Sequence, residues 1–203
     1  MTSLSILVIV GLAYIVIFGG MALLRREGLS LRLAAESVVL TILAAALTLI
    51  GVNVHPVAFL LVLYLVTMRV RLLVELATIS AKRGRFGPSE RLFALALRLW
   101  PDQTGRFIVK VNHGASLLQQ GKLDEALTMF KEILEQQASG FLGRKYEAAA
   151  HYNLGVVYLR KNMEGEAIVA FNKAIDTLPG SEYARRAAQA LEQRRKKGNT
   201  KSV

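Results

Sequence analysis

The side chains able to do chemistry in this sequence are few and scattered. It holds three histidines, His55, His113 and His151, and no cysteine. Without cysteine there is no thiolate nucleophile, no thiolate metal ligand and no disulfide. The histidines stand alone, without the Cys/His spacings that grip a metal. No glycine-rich phosphate loop and no nucleophile elbow occurs. Paired acids occur at Asp124-Glu125 and at Glu164 and Glu166. Each pair opens an apolar-periodic run, where carboxylates suit a helix N-terminus or simply face water. The sequence thus predicts no catalytic residue, no cofactor-binding residue and no metal ligand, and a protein that is not an enzyme. One other set of charges needs an account: Glu36, Arg69 and Arg71 sit inside or beside long apolar runs, where charge is costly and often functional.

The elements that must position these residues follow from composition. The 203 residues are 53% hydrophobic and 20% charged, with a formal net charge of +11. Disorder throughout is excluded, and the positive excess calls for an anionic neighbour: lipid headgroups, nucleic acid or an acidic protein. Residues 1–86 carry eight Lys/Arg and three Asp/Glu, whereas residues 87–203 carry eighteen and twelve. The first part is apolar and the second charged, so the chain divides near Gly84–Pro88.

Within 1–86, three apolar runs cover residues 4–24, 33–52 and 57–79. About 20 apolar residues span a bilayer's hydrocarbon core as a helix. A cleaved signal peptide needs a basic start and a shorter apolar stretch. Here Met-Thr-Ser precedes the first run and Arg25-Arg26 follows it, which favours an anchor. Lys and Arg collect at residues 25–32 and 69–85, on one side of the three spans. The bias places that side in the cytoplasm and the N-terminus outside. At about 1.5 Å per residue, Glu36 lies about 24 Å below Val52 and Arg71 about 22 Å below Pro56. The two are expected to form a structural charge pair reaching the headgroups; an ion pathway is the sharper alternative. Ser37, Thr41, Ala45 and Thr48 make a small-residue stripe that either packs the helical hairpin or docks another membrane subunit.

The charged part repeats itself. Residues 148–181 contain His151, Leu154, Gly155 and Tyr158, then Ala167, Phe171 and Ala174, then Pro179. The spacing resembles the tetratricopeptide repeat, a helix–turn–helix unit of about 34 residues, with His151 where the family usually has Trp. A second copy, residues 107–140, sits 41 residues upstream: Gly114, Ala126 and Phe130 match Gly155, Ala167 and Phe171. Residues around Ser139–Lys145 account for the longer spacing. A half repeat, residues 89–101, has the Phe-x-x-Ala-x-x-x-x-Pro pattern of a second repeat helix. Its partner is either the end of the third span, around Leu72–Ala81, or absent, with Gly84, Gly87 and Pro88 making a hinge. Residues 181–197, with Ser181 as cap, resemble the helix that closes such arrays. Residues 198–203 are expected to be disordered. The fold class is therefore all-α: transmembrane helices in 1–86, then a short repeat solenoid over 87–197 with a capping helix.

The resemblance implies a protein-binding role and a groove lined by the first helix of each repeat. Carried over, the groove positions are Val111, Asn112, Ala115, Leu118 and Gln119, then Tyr152, Asn153, Val156, Leu159 and Arg160. Their mixture suits an amphipathic helix or an apolar peptide, or the chain's own capping helix. Val111 and Ala115 stand where a carboxylate clamp needs Lys and Asn, which disfavours that mode. His113 and His151 fall at packing positions. The basic C-terminal stretch, Arg185 to Lys201, suits the helix dipole or anionic lipid; nucleic acid is disfavoured because the stretch lacks stacking aromatics. The function implied is a multi-pass scaffold in a prokaryotic plasma membrane, recruiting a protein partner on the cytoplasmic face. The alternative is an accessory subunit of a larger membrane complex, transport complexes included, held mainly through its transmembrane helices.

Overall fold

An apolar run in lipid can satisfy its backbone only internally, and the helix is the one-segment solution. The computed structural model describes residues 3–24, 31–136 and 143–201, which form helices and turns with no strand among them. The apolar part forms α1 (Ser3–Leu24), α2 (Leu31–Leu49) and α3 (Pro56–Lys82). All three are long and apolar enough to cross a membrane. They bury Leu7, Tyr14, Ala44, Phe59 and Leu63 against one another. Val16, Ile17, Ile42, Leu61 and their neighbours stay exposed on the outside, and contiguous exposed apolar surface of this kind marks a membrane or protein contact. Arg25 and Arg26 lie outside the described residues.

The small-residue stripe of α2 packs inward on α1. A Cβ added at Gly11 would stand 2.2 Å from the Thr41 hydroxyl oxygen, and Ser37 is fully buried. The stripe's hydroxyls donate within α2, Ser37 to the Leu33 carbonyl at 2.7 Å and Thr41 to that of Ser37 at 2.7 Å. Between the open alternatives, hairpin packing is the one seen.

Pro56 opens α3, where its missing N–H costs nothing. The helix then runs unbroken past the charges to Lys82. Gly84, with φ of +73°, turns the chain back, a conformation that glycine adopts without a Cβ clash. The return helix is α4 (Phe86–Arg98). The Ser89 hydroxyl donates to the Ala77 carbonyl at 2.8 Å, and Val74, Ala77, Phe93 and Ala96 share a core with Ile108 and Val109. The end of the third apolar helix is thus the packing partner of the half-repeat helix. Pro88 causes no hinge, because it falls in the first turn of α4.

The remaining helices are α5 (Gln103–Gln119), α6 (Leu123–Gln136), α7 (Arg144–Arg160), α8 (Glu164–Thr177) and α9 (Glu182–Lys201). Asp102 caps α5, accepting from the Gly105 N–H at 2.7 Å, and Ser181 caps α9, accepting from Ala184 N–H at 3.1 Å. Each helix packs antiparallel on the next, α5 on α6, α7 on α8 and α8 on α9. The expected disordered tail is corrected in part: α9 continues through Gly198 to Lys201, while residues 202–203 lie outside the described residues. So do 139–142 of the longer inter-repeat connection.

Candidate interaction site

The two repeats are the same object built twice. In the first, Gly114 faces the Phe130 ring so closely that a Cβ would stand 2.8 Å from it; in the second, Gly155 faces Phe171 at 2.7 Å. Both rings are buried, with Ala126, Leu154, Ala167 and Ala174 packed beside them. Tyr158 is half-buried between the two cores, and Pro179 lies two residues past the end of α8. The inter-helix turns match as well. Gly121 has φ of +78° and Asn162, 41 positions on, φ of +59°. Lys122 N–H donates to the Leu117 carbonyl at 3.0 Å and Met163 N–H to that of Tyr158 at 2.9 Å. Asparagine tolerates the left-handed region because its short amide can bond locally.

The groove residues divide into three kinds. Val111 and Leu118, 4% and 6% exposed, belong to the core between α5 and α7. They are packing residues rather than groove residues, because α5 is clasped by α3, α4, α6 and α7 and has little free face. Tyr152 and Leu159 pack under α9 with Phe171 and Ala187; the Tyr152 ring lies 5.8 Å from Phe171 and 6.1 Å from Tyr183. Val156 bridges the two cores. The second repeat's apolar groove wall is thus covered by the chain's own last helix. Arg160 donates to the Leu118 carbonyl at 2.8 Å, closing the C-terminal end of α5. Asn112 donates to the Ile108 carbonyl at 2.8 Å. Gln119 is exposed, with Asn112, Ala115 and Asn153 half-buried. The groove positions left partly outward are therefore mostly polar, while α8 exposes Ile168 and Val169.

Burial of Tyr183 raises its phenol above the ordinary value, with the Glu182 carboxylate adding to the shift, so the ring under α7 is neutral. Polar ties hold the stack. Lys161 pairs with Asp124 and Arg194 with Glu164. Arg186 pairs with Glu182 at 2.5 Å and Lys196 with Glu192 at 2.7 Å. Much of the basic C-terminal helix therefore already has an acid beside it.

The charges between the apolar helices form a cluster around Glu36. Glu36 is gripped by Arg69, whose two terminal nitrogens reach the carboxylate oxygens at 2.7 and 2.8 Å, and by Arg32 at 2.5 Å. Arg69 thus joins Glu36 at the level expected for Arg71, two residues further along α3. The cluster stands at the junction of α2, α3 and the start of α5, beside a cavity of about 470 Å³ that Asp102 and Gly105 also line.

Two of the histidines pack as placed, by different means. His113 stacks on Phe93 at 5.1 Å and meets the Glu90 carboxylate at 2.5 Å, while Gln120 donates to the other Glu90 oxygen at 2.7 Å. That network ties α4 to α5, and pattern reading missed it: its members lie on different helices with no fixed spacing. His151 has a buried Nδ1 with no hydrogen-bond partner. Burial, helped by the Lys173 charge, lowers its pKa to about 4; the ring is neutral at pH 7 and acts as a packing group. His55 is exposed in the turn before α3. Among the described residues, no three His, Asp or Glu stand together as a metal site would require.

Residues 105–179 match the family model described as Tetratricopeptide repeat. That stretch takes in α5 to α8, the two full repeats. No curated protein and no solved structure matches the chain. Tetratricopeptide repeats are in general a non-catalytic fold whose stacked helices present surfaces to other proteins.

Proposed function

We propose that this protein is a membrane-anchored tetratricopeptide scaffold, which holds a protein partner at the cytoplasmic face of a prokaryotic plasma membrane. One observation carries the reading: α3 is at once the third apolar helix and the packing partner of α4, so helices fit for lipid and helices matching a protein-interaction family share one core. Lysine and arginine near the ends of the apolar helices favour the cytoplasm for the repeats. The partner surface consists of the polar outward positions Asn112, Gln119 and Asn153 with Ala115, and suits a polar or amphipathic segment better than an apolar peptide. The accessory-subunit alternative loses its strongest support, since the small-residue stripe is used within the α1–α2 hairpin. The ion pairs along α9 leave anionic lipid a secondary role there.

Photo-crosslinkers placed singly at Gln119, Asn153 and Val39 of the full chain in intact membranes separate the readings. The scaffold predicts partner adducts from Gln119 or Asn153 and none from Val39, an exposed position on α2. Adducts from Val39 alone would favour the membrane-subunit reading.

A further inference from the structure

The turn between α4 and α5 carries an unusual residue. Trp100 is 77% exposed and has φ of +46°. At other turns the left-handed conformation belongs to glycine, at Gly51, Gly84, Gly121 and Gly180, or to Asn162. A bulky ring held in that region is strained, and such outliers concentrate where a residue does something. Trp100 is also the single tryptophan of the chain.

Its position in the fold says what it meets. Because α4 runs back along α3, the α4–α5 corner returns toward the apolar helices. A Cβ at Gly105 would stand 3.7 Å from Val70 of α3. Ile108 and Val109 pack with Val70 and Val74. Asp102 shares the junction cavity with Glu36 and Arg69. Val70 lies about 21 Å along α3 from Pro56, and a bilayer's hydrocarbon is about 30 Å thick. A corner at that level, roughly 9 Å short of the hydrocarbon's far edge, stands against the lipid of the leaflet from which α3 emerges, with the headgroups within reach of long side chains. Leu97, 41% exposed, adds apolar surface one turn before Trp100. Arg98 and Arg106, both exposed, flank it with positive charge. Indole rings favour the headgroup layer, apolar body inward and N–H toward water.

We propose that the α4–α5 corner is a membrane-interface anchor: Trp100 enters the headgroup layer of the adjoining leaflet, Arg98 and Arg106 face anionic headgroups, and the repeats are thereby held against the bilayer. The anchor rests on the membrane-spanning reading and goes beyond it, since three spans do not by themselves require the α4–α5 corner to enter lipid.

The test uses the full chain in vesicles of phosphatidylglycerol and phosphatidylcholine, whose tryptophan emission comes from Trp100 alone. The lipids carry bromine either near the headgroup or near the acyl-chain end. The anchor predicts blue-shifted emission, about twofold quenching or more by the shallow bromine, and weaker quenching by the deep one. A Trp100→Phe, Ile168→Trp control, reporting from α8, should be quenched by neither. Emission typical of water with no lipid quenching overturns the anchor and leaves the spanning reading standing. So does blue-shifted emission without lipid quenching, which would mean burial against protein. Quenching strongest from the deep bromine overturns the interfacial placement. Failure of the chain to float with the vesicles overturns the spanning reading and the anchor with it.

Discussion

At the residue scale, the repeats depend on two glycines facing two rings. A methyl group at Gly155 would press within 2.7 Å of Phe171, which is 1% exposed and has nowhere to move. Gly155→Ala should therefore destabilise by about 1–3 kcal/mol, the range for overpacking a filled core. Gly165 is the internal contrast, helical and exposed, with nothing within 4 Å of an added Cβ. Gly165→Ala should stabilise by up to about 1 kcal/mol. Thermal unfolding of the purified full chain, followed by circular dichroism, checks both signs. These glycines were legible in the sequence because close helix crossing demands a small residue at a fixed spacing from a large one. The condition of His151 was not, since whether a buried nitrogen finds a partner depends on helices far away in the chain. Its lowered pKa carries a pH signature. The folded state resists protonating His151 until about pH 4, whereas the unfolded chain accepts the proton near 6.5. The unfolded state therefore binds more protons in that window, and stability is lost as pH falls from 6.5 toward 4. The urea midpoint should fall over this range more steeply for the natural chain than for His151→Leu.

At the element scale, Glu36 with Arg32 and Arg69 ties α2 to α3 where the apolar helices end. Removing Arg69 leaves a carboxylate, 22% exposed, facing Arg32. Arg69→Ala should destabilise the helical hairpins on the order of 2 kcal/mol, below the cost of a fully buried pair because some water reaches the site. Neutralising both members, as Glu36→Gln with Arg69→Met, should recover part of the loss, since the charge then left without its carboxylate, Arg32, is 35% exposed and can be met by water. Unfolding of the full chain with increasing sodium dodecyl sulfate measures both. Depth alone could place Glu36 beside a basic residue but could not choose which one. Residues two apart on a helix project to nearly opposite sides, so Arg69 and Arg71 differ in direction more than in depth. The facing direction is set by how α3 packs on α2, which no local pattern records. Helix existence was read well for the opposite reason: apolar runs and repeat spacing are local. The groove was read less well. Helical periodicity marks Val111 and Leu118 as apolar-face residues, and only the assembled stack shows that face turned toward α7.

At the scale of the whole molecule, the central feature is continuity. The helix that ends the apolar part begins the helical stack, so forces at the repeats pass to the apolar helices through Val74, Ala77 and Phe93 rather than through a slack linker. The sequence left hinge and shared helix equally open, because Gly84, Gly87 and Pro88 suit either; the Ser89–Ala77 hydrogen bond shows α4 folded back on α3. Everything proposed about function requires that Asn53 and Asn172 lie on opposite sides of a membrane. The natural chain contains no cysteine, so a single introduced thiol reports its side without background. In right-side-out vesicles, a membrane-impermeant maleimide should label Asn53→Cys at once and Asn172→Cys only after permeabilisation. Labelling of both from the same side, or recovery of the chain in the soluble fraction, would contradict the account.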